Sequence, residues 1–457
     1  MRAVVVGGGP VGMFCAMALA RRGDEVTVVD RDPGPPASGP WARRGVMQFR
    51  LPHFFRPIVR QVLTDTLPDV WDAVLAAGGV EACPAGFPEA MTGLECRRST
   101  FERAVWAGAR REPRLTLRTG HADRPLTRHG RVSGVVVDGQ SVDADLVIAA
   151  GGRASRFADD TRPPAEGGTC GFSYVTRMYR ARPGTELASS GRPLGWLYRH
   201  YQVMVFPQDD RTLSALIVRP TADEALAPLR HNQCFEAAAP LIPELAPWID
   251  PDRFEPITGV MAGGGLTNTY RGQLDERGRV AIPGLFFAGD AVCTTYPAAG
   301  RGVSLGLRQA QALLGMLSVL NSGLNSGLNS GLNPGRGADL RDVAERFDAW
   351  CTVNIRPWYE DHVYWDTTLL HRLGGGDIDS ETRIPSDVIC AAAEVDPSIW
   401  PAAGPYLAMQ APPSVLDPVR DKARAVLRSG WRPPFTAGPS RGELADAMAA
   451  RQNLIAA

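Results

Sequence analysis

A nine-residue segment near the start of the chain restricts the fold more than anything else in it. Val4-Val5-Val6 is a short apolar run of the kind that forms a buried parallel strand. It breaks into Gly7, Gly9 and Gly12, the G-x-G-x-x-G spacing. A helical pattern follows from Met13 to Arg22 and stops at Gly23. A β-branched run, Val26 to Val29, then ends in Asp30. Strand, glycine turn, helix, strand and acid in that order predict a unit that binds a dinucleotide. Gly7 permits the tight turn, Gly9 lets a pyrophosphate approach the backbone, and Gly12 lets helix and strand pack closely. The helix N-terminus offers free N–H groups and positive dipole to the phosphates, and Asp30 is placed to accept from a ribose hydroxyl.

The rest of the composition narrows the class. With 457 residues, two or three domains are expected. Zero net charge gives no reason to expect a nucleic-acid or anionic-membrane partner. Basic residues are nearly all arginine, with Lys422 the only lysine. The eight cysteines show no C-x-x-C or metal-ligand spacing, and no metal is expected. The first strand begins too early to leave room for a leader, and no apolar run is long enough to span a bilayer. A reducing cytoplasm is the expected setting.

Along the chain, Trp41 to His53 reads as an ordered loop beside the nucleotide site, carrying Arg43, Arg44, Gln48 and His53. A helix is expected over about 57–77. Ser99-Thr100-Phe101-Glu102 reads as a capping box. Arg97 and Arg98 just before it suggest an anion nearby, since a cation is otherwise misplaced at a helix N-terminus. A hairpin is expected with arms Val132–Val137 and Asp145–Ala149, the second running into Gly151-Gly152-Arg153. Residues 172–260 alternate as strands and read as an inserted β-rich domain. The chain then returns through Leu285-Phe286-Phe287-Ala288-Gly289-Asp290. The turn Tyr296-Pro297-Ala298-Ala299-Gly300-Arg301-Gly302 precedes a long helix, Val303 to Leu320. An Asn-Ser-Gly-Leu tandem repeat follows from Asn321. Ser440-Arg441-Gly442-Glu443 caps a last short helix.

Three separated segments now converge: the first glycine turn with Asp30, Asp145 to Arg153, and Leu285 to Ala291 with Pro297, Gly300 and Gly302. Together they resemble the three FAD motifs of the single-component, class A flavoprotein monooxygenases. Gly45 to His53, Tyr174 to Arg180 and Val205-Phe206-Pro207 resemble the actinobacterial flavoproteins related to polyether and squalene epoxidases. The resemblance covers most of residues 1–365. It implies an α/β fold of the p-hydroxybenzoate hydroxylase type: a Rossmann-like FAD-binding domain of the glutathione-reductase kind, an inserted β-rich substrate domain and a helical C-terminal region. The division it implies is 1–60, 96–165 and 270–320 for FAD, 61–95 and 166–269 for substrate, 321–336 as a flexible repeat linker, and 337–457 as the C-terminal region.

The implied reaction is NAD(P)H-driven reduction of FAD, capture of O2 as a flavin C4a-hydroperoxide, and oxygen transfer to an apolar or aromatic small molecule, as in secondary metabolism. The alternative is a dehydrogenase or reductase on the same fold without oxygen insertion. The middle motif departs from the family, because Gly151 stands where an Asp linked to NAD(P)H handling usually does; this leaves room for an electron-donor partner. No W-x-W-x-I-P segment of a halogenase is present. The implied FAD residues are Gly7, Gly9, Val11, Gly12, Asp30, Arg31, Arg44, Gln48, Arg98, Gly289, Asp290, Pro297, Gly300, Gly302 and Val303. Arg177 and Tyr296 are the catalytic candidates, with Tyr174 a further cavity candidate. On a strand, Tyr174 and Arg177 differ by three positions, so at most one of them points at the flavin. Cys293 reads as a packed small thiol.

Overall fold

The computed structural model describes residues 1–456 apart from 44, 188, 190 and 327–338. In chain order, the elements that position the site are β1 (Arg2–Val6), α1 (Pro10–Arg21), β2 (Glu25–Asp30), α2 (Arg98–Ala109), β3 (Leu115–Thr119), β4 (Leu146–Ala149), β5 (Phe172–Ala181), β6 (Gln202–Pro207), β7 (Thr212–Pro220), α3 (Asn232–Ala238), β8 (Leu285–Phe287), α4 (Gly302–Ser326), α5 (Arg356–Leu373) and α6 (Arg441–Ala456).

Five strands form one all-parallel sheet in the order β8-β4-β1-β2-β3. Val4 faces Val147 on one side and Thr27 on the other. The three strands β8, β4 and β1 are buried on both faces, so they read as apolar runs rather than alternating ones. Their C-terminal ends carry the glycine turns, which places all three turns at one edge of the sheet. The expected Rossmann-like arrangement is present, with further sheets and a helical C-terminal region.

A second sheet of six strands runs Leu194–Leu197, β6, β7, β5 and Phe254–Pro256, with Met261–Gly263 paired to β5 beside the last. Its strands alternate with period two, and each face has its own core. Val175, Tyr179, Val203, Val205 and Ile217 pack under α3 and α6. Tyr174, Met204, Phe206, Leu216 and Val218 face the other way, against Leu51, Phe54, Tyr296 and Leu369.

Four local expectations are corrected. The helix expected over 57–77 is two, Pro57–Thr66 and Pro68–Ala76, broken where Pro68 supplies no N–H and Leu67 leaves the helical region. The arm Arg131–Val137 returns through Gln140–Asp143, and Leu146–Ala149 instead joins the parallel sheet as β4. The box at Ser99–Glu102 does not form. The helix starts two residues earlier, at Arg98 with Arg97 as its N-cap, and the Glu102 carboxylate turns to Arg98 and Arg43. The fourth concerns the repeat read as a linker over 321–336: its first six residues continue α4, and residues 327–336 lie outside the described residues.

The box at the last helix does form. Ser440 Oγ accepts from the Glu443 N–H at 3.2 Å, and Glu443 accepts from the Ser440 N–H at 2.7 Å, although the helix has 16 residues rather than a few.

Candidate functional site

The three turns enclose one cavity of about 500 Å³. Its walls include Gly7, Gly9, Val11, Asp30, Arg31, Gln48, Arg98, Gly289, Asp290, Pro297, Gly300, Gly302 and Val303. That is every sequence-derived cofactor candidate except Gly12 and Arg44. Gly12 lies beneath the turn, where a Cβ would sit 1.9 Å from the Gly7 carbonyl oxygen, so it serves the helix–strand packing. Arg44 lies outside the described residues.

At the end nearest β1, Gly7 adopts φ +112°, and a Cβ there would sit 2.4 Å from the Ala150 carbonyl oxygen. Only glycine joins the two strand ends this closely. Helix α1 begins at Pro10 with Gly9 as its cap, leaving first-turn N–H groups free toward the cavity. Asp30 accepts from the Gly8 N–H, from the Asp32 N–H at 2.8 Å and from Arg43 at 2.6 Å.

Arg43, missed by the sequence reading in favour of its neighbour, is the hub of this end. It is buried and also reaches Glu102 at 2.6 Å, Asp32 at 3.2 Å and the Gly8 carbonyl at 3.1 Å. Nothing in a pair of adjacent arginines says which turns inward. Arg97, by contrast, pairs with Asp209 at 2.7 Å, while Arg98 lines the cavity.

At the opposite end, three groups await a partner. The Asp290 carboxylate is exposed to the cavity and accepts no hydrogen bond from the described residues. The hydroxyls of Thr295 and Ser304 are buried, line the cavity and find no partner among the described residues. Helix α4 starts between them, at Gly302, so its first N–H groups face the same space. Buried hydroxyls left unpaired are costly, so Thr295 and Ser304, with the open carboxylate of Asp290, suit a ligand bearing donors and acceptors.

Apolar side chains bound the cavity on the side of the six-stranded sheet: Phe54, Phe55, Tyr174 and Phe206. His53 donates from Nδ1 to the Leu51 carbonyl at 2.9 Å. Burial, with Arg98 nearby, pulls its pKa down to about 3, so it is neutral.

The two catalytic candidates separate. Arg177 shares the face of Val175 and Tyr179 and pairs with Glu236 of α3 at 2.6 Å, so the structure does not bring it to the cavity. The period-two rule that set Tyr174 and Arg177 apart assigns Tyr174 to the cavity. Tyr296 is buried against Phe172, with ring centroids 5.1 Å apart, just behind the cavity wall. Cys293 is buried, and its thiol is pushed up by burial and by Asp290.

A set of C-terminal residues that no local signal marks stands behind the 296–302 turn. Arg301 donates to Asp361 at 3.0 Å and also bonds Tyr406. Asp366 accepts from Asn268 at 2.7 Å, and Asn268 in turn accepts from the Tyr296 N–H at 2.7 Å. Both ends of the turn are thereby tied to α5.

Residues 2–85 match the family model described as FAD dependent oxidoreductase. A digeranylgeranylglycerophospholipid reductase of Methanospirillum hungatei is 30% identical over 231 residues, 46% of this chain, and the match spans 52% of that protein's length. A 3-demethoxyubiquinol 3-hydroxylase of Escherichia coli is 26% identical over 339 residues, 68% of this chain and 78% of the relative. Among solved structures, a probable FAD-dependent monooxygenase of Pseudomonas aeruginosa shares the fold. It has a TM-score of 0.59 at 15% identity and covers 82% of this chain and 98% of its own. Among the described residues no helix is long and apolar enough to cross a membrane. Residues 2–85 are thus similar to an FAD-dependent oxidoreductase domain, and most of the chain shares the fold of the solved monooxygenase.

Proposed function

We propose that the chain is an FAD-dependent monooxygenase that hydroxylates or epoxidises an apolar or aromatic small molecule, with NAD(P)H as reductant. One observation carries the reading: a single cavity joins a glycine-turn end suited to a diphosphate, an end with an unpaired carboxylate and two unpaired hydroxyls, and an aromatic wall. The residues fit FAD along its whole length. Gly7, Gly9 and the start of α1 would hold the diphosphate, and Asp30 the ribose. Asp290 would accept from a ribitol hydroxyl. Thr295, Ser304 and the first turn of α4 would bond the polar edge of the ring. When bound, FAD supplies two-electron storage and the activation of O2. The remaining work falls to the chain. Phe54, Tyr174 and Phe206 keep water out and orient an apolar substrate, and neutral His53 adds no charge to that space. In this reading residues 166–269 form the substrate-facing domain, and the setting is the cytoplasm.

The similarity to a reductase acting on a geranylgeranyl lipid supports a second reading, a reductase or dehydrogenase for an apolar substrate without oxygen insertion. Both readings share the cavity and differ in where oxygen goes. The visible spectrum of the purified protein tests the flavin first: absence of FAD after titration overturns both. Turnover under 18O2 then separates them. One labelled atom in product establishes the monooxygenase, and product without label establishes the alternative. Anaerobic bleaching by NADPH or NADH reports whether Gly151 permits direct nicotinamide use.

A further inference from the structure

A second cleft, of about 600 Å³, opens on the far side of the Gly152–Ala154 loop and shares Arg153 and Asp290 with the flavin cavity. Four arginines line it: Arg153, Arg156, Arg162 and Arg271. Two carboxylates face them. Asp159 is taken by Arg271, and Asp290 opens on both cavities. The cleft therefore holds an excess of two positive charges.

Arg162 is the unusual member. It is only 8% exposed, and its guanidinium lies 3.4 Å from the centroid of the Phe287 ring. Nη1 donates to the carbonyls of Arg271, Gly272 and Ala291. Nε has no partner, and no carboxylate among the described residues lies within ion-pair distance. A buried cation held only by neutral carbonyls is expensive unless an anion completes it. Burial and Arg271 pull its pKa down to about 9, and Asp159 and Asp348, both beyond ion-pair distance, oppose this only in part. Arg156, on the rim, is exposed and also without a partner among the described residues.

We infer that this cleft binds the phosphate group of a ligand that sits beside the flavin cavity, with Arg162 at its floor and Arg156 and Arg153 at its mouth. Planar guanidinium groups converging on one space suit a phosphate better than a single carboxylate. The phosphate can belong to a dinucleotide reductant, to a phosphorylated substrate or to free phosphate.

The test is calorimetric titration of inorganic pyrophosphate into FAD-loaded protein at low salt. FAD loading occupies the first diphosphate site and is checked on the same sample by its spectrum, so failure of the flavin reading is seen separately. One site is expected, with affinity falling as NaCl is raised. Arg162→Gln and Arg156→Glu should each weaken it about tenfold, the value of one charge-assisted hydrogen bond. Arg156 is on the surface, so its variant carries the test even if Arg162→Gln fails to fold. Competition by NADPH or NADH assigns the phosphate to the reductant. Pyrophosphate binding without that competition assigns it to substrate or free phosphate. No pyrophosphate binding, or an affinity unchanged from the parent in both variants, overturns the inference.

Discussion

Arg301 and His362 meet at 3.1 Å, guanidinium Nη1 to imidazole Nδ1, behind the turn that lines the cavity. Arginine can only donate, so Nδ1 accepts and the ring proton is assigned to Nε2. Burial, and then Arg301 and Arg56, hold this imidazole well below its ordinary pKa, so it stays neutral. Its Nε2 has no hydrogen-bond partner among the described residues and lies 3.6 Å from Asp366.

Asp366 is the titrating member of this group. Burial raises its pKa to about 7, against the pull of Asn268 and Arg301. The folded value exceeds the unfolded one, so folding favours the protonated acid. The contribution of Asp366 to stability should be greatest below about pH 4, decline as pH rises to about 7, and level off above that, by a few kcal/mol at most. Asp366→Asn removes this titration while keeping an acceptor for Asn268. Its unfolding midpoint, followed from pH 4 to 8, should be flatter than that of the parent and higher at pH 8. Parallel profiles would contradict the assignment.

Asp290→Ala should leave the fold intact and weaken FAD binding by about ten- to a hundredfold, the range for losing a charged hydrogen bond. Fluorescence titration of apoprotein with FAD reads this directly. An unchanged affinity would remove Asp290 from the cofactor site.

Arg43→Met leaves Asp30, Asp32 and Glu102 facing one another without their shared cation. Breaking a buried pair from one side costs about 3–5 kcal/mol. Urea unfolding of the variant should show a loss of that order, with FAD affinity reduced as well. A loss below about 1 kcal/mol, the worth of an exposed pair, would mean that the hub does not form in solution.

Arg177→Met should leave FAD affinity and the KM for substrate unchanged, because Arg177 pairs with Glu236 on the face away from the cavity. A rise in KM without loss of stability would place the side chain at the substrate after all.

What the sequence made legible was strictly local. The glycine spacing, the acid ending β2 and the Gly289-Asp290 turn each lie within one strand–turn–helix unit, and the structure brings them to one cavity. Period-two alternation likewise separated Tyr174 from Arg177. Errors arose where a distant partner decided. Glu102 left its capping box because Arg43, 59 residues away in sequence, recruited it. Ser440 and Glu443 have no such competitor and closed theirs. Leu146–Ala149 went to the parallel sheet because β1 and β8 compete for it. Asp361, His362 and Asp366 sit on an ordinary helical pattern, and only the packing of α5 behind residues 296–302 gives them a place near the site.

The last helix has a consequence for how the molecule is made. Leu444 and Met448 of α6 complete the core under one face of the six-stranded sheet, and Tyr201 beside it donates to the Pro439 carbonyl at 2.9 Å. The opposite face of that sheet forms the aromatic wall of the cavity. During synthesis the last strand of the sheet, Met261–Gly263, leaves the ribosome well over a hundred residues before the helix that covers it, which begins at Arg441. At about 5–20 residues per second, that face waits on the order of ten seconds or longer for its cover. The aromatic wall of the cavity is therefore among the last parts of the protein to become rigid, and its assembly depends on the final turns of the chain.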